Sequence, residues 1–100
     1  MLWSINCVDK SNTAAKRAEL LPMHREYLKK WESVIFFSGP QQSDDRSQNT
    51  GSLFILNVPS RARAQEFIEN ETFYRGGLFD KVTITRLRKG HFHPELADVQ

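Results

Sequence analysis

The sequence contains a single cysteine and no long apolar run. Cys7 cannot form an intramolecular disulfide, which is typical of a protein in a reducing compartment. No stretch approaches the roughly 20 apolar residues that a membrane-spanning helix needs. The opening residues MLWSINCVDK lack both the basic segment and the long apolar core of a secretory signal. These absences predict a cytoplasmic protein with no membrane partner.

The chain also lacks an excess of charge of one sign. Its 14 basic and 12 acidic residues give a net charge of +2. Nucleic-acid-binding domains usually gather basic residues on one element beside aromatic side chains. Here the charges are dispersed, and the densest basic group is Arg86, Arg88 and Lys89. We therefore expect no nucleic-acid partner. Glycine-rich phosphate loops and the GxSxG and CxxC motifs are absent as well.

What remains is the composition of a small globular domain. Hydrophobic residues make up 39% and charged residues 26% of the 100 residues. These values are ordinary for a chain that buries one core without disulfides. Residues 90–100 carry no strong pattern. We therefore predict one domain over residues 1–89 and a C-terminal tail over residues 90–100.

Hydrophobic periodicity divides the domain into six elements. Runs of β-branched and aromatic residues predict strands at 2–8, 34–39, 52–58 and 81–88, and helical spacing predicts helices at 13–33 and 61–70. Ser11 or Asn12 is the expected N-cap of the first helix. Pro22 predicts a break in it, because proline has no amide hydrogen and clashes with the preceding turn. Turns are predicted at Gly39–Pro40 and at 73–79.

The order β-α-β-β-α-β is that of the ferredoxin-like α+β fold. In this fold a four-stranded antiparallel sheet carries both helices on one face. Alternation along the first strand places Trp3, Ile5, Cys7 and Asp9 on the same face. The opposite face of the sheet has apolar candidates but no element to cover it. A second copy of the chain would bury that face, so we predict a homodimer.

An ordered set of short segments resembles the YciI-like (YCII-related) family. The set comprises MLWSINCVDK at the start, Lys16-Arg17, PMHREYL at 22–28, FSGP at 37–40, GSLFI at 51–55, and Phe73 with Arg75 and Gly77–Phe79. The resemblance runs in order from about residue 1 to residue 89. It implies a dimeric α+β barrel of ferredoxin-like protomers, with an active site that contains a histidine and a carboxylate.

By position, the resemblance assigns the histidine to His24 and the carboxylate to Asp9. A second acidic position of the family lies in an Asp-Pro-aromatic triplet, which here reads Glu71-Thr72-Phe73. Histidine titrates near neutral pH, so His24 is a candidate general base, with Asp9 fixing its tautomer. A helix start at Pro22 would favour the neutral imidazole. Whether Asp9 or Glu71 is the partner stays open at this point. The alternative for His24 is a surface histidine without a role.

Other residues are candidates for substrate binding. Arg17 lies two helical turns before His24, where a cation could hold a phenolate or a departing chloride. A turn formed by Ser38, Gly39 and Pro40 would present backbone amides and the hydroxyl of Ser38 to a ligand. Glu71 and Tyr74 complete the candidate set. The alternatives are a solvated helix arginine and an ordinary turn.

The histidines near the C-terminus do not predict a metal site. His91 and His93 can point to one side of an extended segment, but a site needs three or four ligands, and no second His or Cys cluster exists. Cys7 lies in mid-strand, where a cysteine is usually a small buried hydrophobe. We therefore expect no metal and no cofactor.

The resemblance implies a cofactor-free enzyme that uses a histidine and a carboxylate in acid–base chemistry on a small aromatic substrate. The reaction it suggests is dehydrochlorination of a chlorinated hydroxyhydroquinone to a hydroxybenzoquinone in aromatic degradation. A muconolactone-isomerase-like activity needs the same acid–base pair and is an alternative. A non-catalytic module that binds a small ligand is the other.

Overall fold

The structure, a computed structural model, describes residues 1–97. Its elements in chain order are β1 (Leu2–Asp9), α1 (Ala14–Lys29), β2 (Ile35–Gln42), β3 (Asn49–Asn57), α2 (Arg61–Glu69), α3 (Thr72–Arg75), β4 (Phe79–Leu87) and one 3₁₀ turn at Pro94–Leu96. No helix within this part of the chain is long and apolar enough to cross a membrane.

The four strands form one antiparallel sheet in the order β2-β3-β1-β4. The central strand β1 pairs with β3 on one side and with β4 on the other, so that Ile5 lies opposite both Phe54 and Ile84. The helices lie on one face. The predicted ferredoxin-like α+β fold is confirmed. The helical periodicity of α2 places Ala64 and Phe67 against the sheet.

The core lies between the helices and one face of the sheet. Trp3, Ile5 and Cys7 alternate toward it as predicted and are at most 7% exposed. Phe54 and Phe67 meet there edge to face, with ring centroids 5.1 Å apart. Burying a side chain of this size stabilises the fold by about 1.5–3 kcal/mol. This core anchors the end of β1 and the inner face of α1.

The prediction of a helix break at Pro22 is wrong, because α1 runs through it without interruption. Pro22 is exposed, and so is Ala18, whose carbonyl oxygen is left without its helical donor. Water can satisfy that carbonyl, so the proline does not end the helix. The N-cap is Thr13 rather than Ser11 or Asn12.

The predicted turn at Gly39–Pro40 is also wrong, because β2 continues to Gln42. Proline is tolerated there since β2 is an edge strand, where a missing N–H need not break a ladder. The loop is correspondingly short and spans 43–48. Within it, hydrogen bonds from Ser47 and Ser43 lower the pKa of Asp45 to about 2.

The segment predicted as a turn at 73–79 begins as the short helix α3. Glu71 is its N-cap, and a carboxylate oxygen of Glu71 accepts the N–H of Phe73. Gly77 follows with φ of +74°, a conformation that glycine adopts without strain. Beyond β4, the ring of Phe92 packs 5.2 Å from that of Phe36. Residues 98–100 of the predicted tail lie outside the described residues.

The second face of the sheet carries no element of residues 1–97. Val8 and Phe37 on this face are 44% and 46% exposed, and Leu53 and Ile55 between them are half-buried. The predicted partner copy would bury this face, and the homodimer stays a prediction.

Candidate functional site

The last residue of β1 and the second turn of α1 form a buried ion pair. Nε of Arg17 donates to Oδ2 of Asp9 at 2.9 Å, and Nη2 donates to Oδ1 at 3.3 Å. Nη2 also donates to the carbonyl oxygen of Gly51 at 2.8 Å and to Oγ of Ser52 at 2.7 Å. Both side chains are at most 10% exposed. The pair ties α1 to β1 and β3.

Gly51 allows this close packing because it has no side chain. A Cβ atom at this position would lie 2.1 Å from the carbonyl oxygen of Cys7 on the neighbouring strand. Any larger residue would push β3 away from β1, and with it the carbonyl that accepts from Arg17.

A second buried pair joins α1 to the start of α3. Nδ1 of His24 lies 2.7 Å from Oε1 of Glu71, whose side chain is fully buried. The other carboxylate oxygen accepts the Phe73 amide. Because a carboxylate is an acceptor, Nδ1 carries a proton in this contact. Nε2 makes no hydrogen bond within residues 1–97 and reaches the surface.

The sequence left Asp9 and Glu71 open as partners of His24, and in the structure the partner is Glu71. Both oxygens of Asp9 accept from Arg17, whose planar fork matches a carboxylate in two bonds. His24 is the eleventh residue of α1, far from the helix start at Ala14. The argument from a nearby helix N-terminus for a neutral imidazole therefore does not apply.

The two pairs share one aromatic ring. The imidazole of His24 stacks on Phe73 with centroids 4.0 Å apart and planes 9° apart. Cζ of Arg17 lies 4.7 Å from the centroid of the same ring. Phe73 is fully buried, so it holds both side chains in place.

The side chains of Cys7 and Tyr27 are also protonated at neutral pH. Burial, followed by the charges of Glu71 and Asp9, raises the pKa of Cys7 to about 12, although Arg17 opposes the shift. Burial raises the pKa of Tyr27 to about 12, and its hydroxyl donates to the carbonyl oxygen of Phe67 at 2.7 Å. Cys7 is therefore a thiol and not a nucleophile.

A cavity of about 720 Å³ opens beside the Asp9–Arg17 pair, between the first turns of α1 and the β2–β3 hairpin. Its volume suits a small organic ligand. Leu21, which lies on the inner face of α1 between Arg17 and His24, is also part of the wall. His24 and Glu71 do not line the cavity. The imidazole lies one helical turn beyond Leu21.

The remaining candidates lie elsewhere. Ser38, Gly39 and Pro40 belong to the edge strand β2 and do not line the cavity. Tyr74 is 41% exposed on α3 and does not line it either. The prediction for Ser38, Gly39 and Pro40 depended on a turn that β2 does not make.

Several residues at the cavity were not predicted. Lys10, Gln48 and Thr50 line it, and the hydroxyl oxygen of Ser52 accepts a hydrogen bond from Arg17. Their positions depend on the register of β3 against β1, which places Ser52 opposite Cys7. No motif marks such residues, so the sequence offered no signal for them.

No three His, Cys, Asp or Glu side chains within residues 1–97 come together as metal ligands. His93 lies 3.2 Å from Glu95 at an exposed position, and His91 has no part in that contact.

Residues 1–88 match the YCII-related domain. The chain belongs to the YCII-related domain family. The family match covers β1 to β4 and therefore includes both buried pairs and the cavity.

Among solved structures, this YCII-related chain is similar to 5-chloro-2-hydroxyhydroquinone dehydrochlorinase (TftG) from Burkholderia phenoliruptrix AC1100, in complex with 2,5-dihydroxybenzoquinone. The TM-score is 0.83, with 28% sequence identity, over 90% of this chain and 96% of the other. A protein from Arabidopsis thaliana matches with a TM-score of 0.48 and 15% identity over 92% of this chain and 97% of the other. No curated protein matches the chain.

Proposed function

We propose that this chain is a cofactor-free dehydrochlorinase for a chlorinated hydroxyhydroquinone. The observation that carries the proposal is the 2.7 Å contact between Nδ1 of His24 and the buried carboxylate of Glu71, which leaves Nε2 free. A histidine held in this way can accept a proton and return it. The similarity to a solved dehydrochlorinase supports the choice of substrate.

The reaction needs only proton transfers. His24 accepts a hydroxyl proton from the ring, and the same proton passes to the ring carbon that bears chlorine, which converts the hydroxyl to a carbonyl. Loss of a second hydroxyl proton then forms the second carbonyl while the C–Cl electron pair leaves as chloride. The net loss is one HCl, and the products are chloride and a hydroxybenzoquinone. The departing chlorine takes up the electrons that the ring gives up, so no external oxidant is required.

Arg17 is proposed to stabilise negative charge on the substrate. Its Nε and Nη2 are occupied, but Nη1 makes no hydrogen bond within residues 1–97. Arg17 lines the cavity, so Nη1 is the donor available to a phenolate oxygen or to chloride. Asp9 holds the guanidinium in one orientation for this purpose.

The ring would lie against Leu21, between Arg17 and His24. Those three residues follow one face of α1, and Phe73 contacts both the guanidinium and the imidazole. A flat ring that enters the cavity along this face would bring a hydroxyl toward Nε2 of His24. In this proposal Arg17 binds the ring and His24 moves its protons.

The proposal is tested by following chloride release from 5-chloro-2-hydroxyhydroquinone. His24→Ala should lower kcat by about 10²- to 10⁴-fold, the usual contribution of a general base. His91→Ala is the matched control, because His91 has no contact with either pair, and it should keep wild-type turnover. Circular dichroism should show that both variants are folded. Full turnover in His24→Ala would remove the imidazole from the mechanism.

The two alternatives predict different results when a muconolactone is assayed beside the chlorinated ring. Isomerisation of a muconolactone without chloride release would assign the chain to the isomerase chemistry. Binding of the ring with no product in the wild type would assign it to ligand binding without catalysis.

We further propose that the protein is a homodimer through the open face of the sheet. Val8, Phe37, Leu53 and Ile55 form an apolar strip there that no element of residues 1–97 covers. Two such faces packed together would bury the strip on both copies.

A further inference from the structure

The cavity stops one helical turn short of the imidazole. Arg17 and Leu21 line it from the inner face of α1, and Leu21 is the last residue of that helix in its wall. His24 follows on the same face, so that α1 rises by about 10 Å from the guanidinium-bearing residue to the imidazole-bearing one. Leu21 therefore lies between the cavity and His24.

The inner face of β3 forms the floor beneath this part of α1. Oγ of Ser52 accepts from Arg17 at 2.7 Å. The ring of Phe54, two residues further along the strand, lies 6.2 Å from that of His24. Ser52 and Phe54 are 3% and 1% exposed, so the floor is closed. Leu21 packs against the core from above, between the two ends of this floor.

The imidazole is enclosed on its other sides. It stacks on the fully buried ring of Phe73, and Nδ1 lies against the buried carboxylate of Glu71. Only 12% of the side chain of His24 is exposed. A substrate therefore reaches Nε2 through a narrow opening, and the nearest part of the cavity wall along α1 is the isobutyl group of Leu21.

The volume of the cavity does not by itself select a single ring. At about 720 Å³ it has room for a considerably larger organic ligand. Its wall beside Arg17 is formed on the helix by the small side chains of Ala14 and Ala18, which leave that end wide. Leu21 is the larger aliphatic side chain on this wall, so the passage narrows there.

We propose that Leu21 is a specificity-determining residue, which limits the passage from the cavity to Nε2 of His24 to a single flat ring. The inference rests on the proposed function for the identity of that ring. A single ring held at Arg17 lies flat against the isobutyl group and brings a hydroxyl to the imidazole. A ring with a second fused ring meets the isobutyl group first, so it stays in the cavity and does not react.

Access to the imidazole can be measured without a substrate. Diethyl pyrocarbonate acylates an unprotonated imidazole nitrogen, and mass spectrometry of the peptides gives the rate at each histidine. The rate at His24 depends on the fraction of molecules in which the passage is open, so Leu21→Ala should raise it about tenfold. Leu21→Phe should lower it. The exposed His91 and His93 are internal standards and should react equally in every variant.

Ring selectivity is measured with 5-chloro-2-hydroxyhydroquinone and a two-ring analogue, a chlorinated trihydroxynaphthalene. The wild type should favour the single ring by about 100-fold in kcat/KM, and Leu21→Ala should reduce that preference to about tenfold. The two-ring analogue should still inhibit the wild type competitively, because it enters the cavity at Arg17.

Leu20→Ala is the matched control for loosened packing. Leu20 is half-buried on the same helix, but it faces Gly76 and does not line the cavity. It should leave the modification rate of His24 and the ring preference unaltered. Leu21→Val removes one methylene group and should keep the fold, as checked by circular dichroism, with the same changes as Leu21→Ala at smaller size.

A wild-type modification rate at His24 in Leu21→Ala would overturn the inference. An equal increase in Leu20→Ala or an unaltered ring preference would also overturn it. These results are separable from failure of the proposed function. Faster modification in Leu21→Ala, with no chloride release from either ring in the wild type, supports the passage at Leu21 and sinks the dehydrochlorinase. Chloride release with unaltered modification and ring preference in the Leu21 variants does the reverse.

Discussion

The imidazole of His24 lies parallel to the ring of Phe73, with centroids 4.0 Å apart. Phe73 also donates its amide to Glu71, and Glu71 accepts from the same imidazole. The three residues therefore constrain one another. The short helix α3 supplies both the carboxylate that fixes the tautomer and the surface that fixes the ring plane, so His24 is held in one orientation before any substrate binds.

Glu71→Gln should separate positioning from charge. Glutamine keeps the size of the side chain and can still accept the Phe73 amide, so the protein should fold. An amide stabilises a protonated imidazole much less than a carboxylate does, so kcat should fall about 10- to 100-fold with a smaller change in KM. Chloride release across a range of pH measures both parameters. Wild-type kcat with an unchanged pH profile would show that Glu71 has only a structural role.

Asp9→Asn should destabilise the fold strongly. It leaves the buried guanidinium of Arg17 without its counter-charge, and breaking a buried pair in this way costs about 3–5 kcal/mol. Urea denaturation measures the loss. The control is Glu66→Gln, which breaks the exposed contact with Arg63 at 2.8 Å and should cost less than about 1 kcal/mol. Equal effects of the two variants would contradict the burial argument.

Gly51→Ala should disturb the Asp9–Arg17 pair, because it displaces the backbone of β3. A Cβ atom would meet the carbonyl oxygen of Cys7 at 2.1 Å, a distance that no rotamer can relieve. The strands must separate, so we expect a lower Tm and weaker binding of the ring. Gly90→Ala is the control, because nothing lies within 4 Å of a Cβ there. A wild-type Tm in Gly51→Ala would show that β3 can shift without loss.

Stability should fall as the pH rises above about 9. The folded state raises the pKa of Cys7 from 9.0 to about 12 and that of Tyr27 from 10.0 to about 12. Between these limits the unfolded chain loses protons that the folded chain keeps, so deprotonation favours unfolding. The Tm measured from pH 8 to 11 should decline, and less steeply in Cys7→Ala. A thiol reagent at pH 8 should modify Cys7 slowly in buffer and rapidly in urea.

Ile55→Lys should disrupt the proposed dimer. Ile55 lies in the middle of the open sheet face on β3, where a charge from each copy would be buried against the other. Size-exclusion chromatography with light scattering should give a dimeric mass for the wild type and a monomeric mass for the variant. Thr85→Lys, nearer the end of β4, should weaken association less. A monomeric wild type would refute the dimer.

Some parts of the fold could be predicted from local patterns. Alternation in β1 correctly placed Trp3, Ile5 and Cys7 in the core, because side chains of a strand point to opposite faces at every step. The order of the strands and helices followed from the same patterns. The prediction of a break at Pro22 was wrong. The cost of a proline depends on whether water reaches the carbonyl oxygen that lost its donor, and local sequence does not show whether that carbonyl is exposed.

The candidate site, like the fold, could be predicted only in part from the sequence. The sequence singled out His24, Arg17, Asp9 and Glu71, since these residue types at these positions resemble a family whose chemistry needs them. It could not assign the pairs, because Glu71 is 47 residues from His24 and reaches it only when α3 docks against α1. The choice of partner depends on distances across the core. Only the packed structure sets those distances. Periodicity and residue type act within one helical turn or one strand, so they can be read from the sequence.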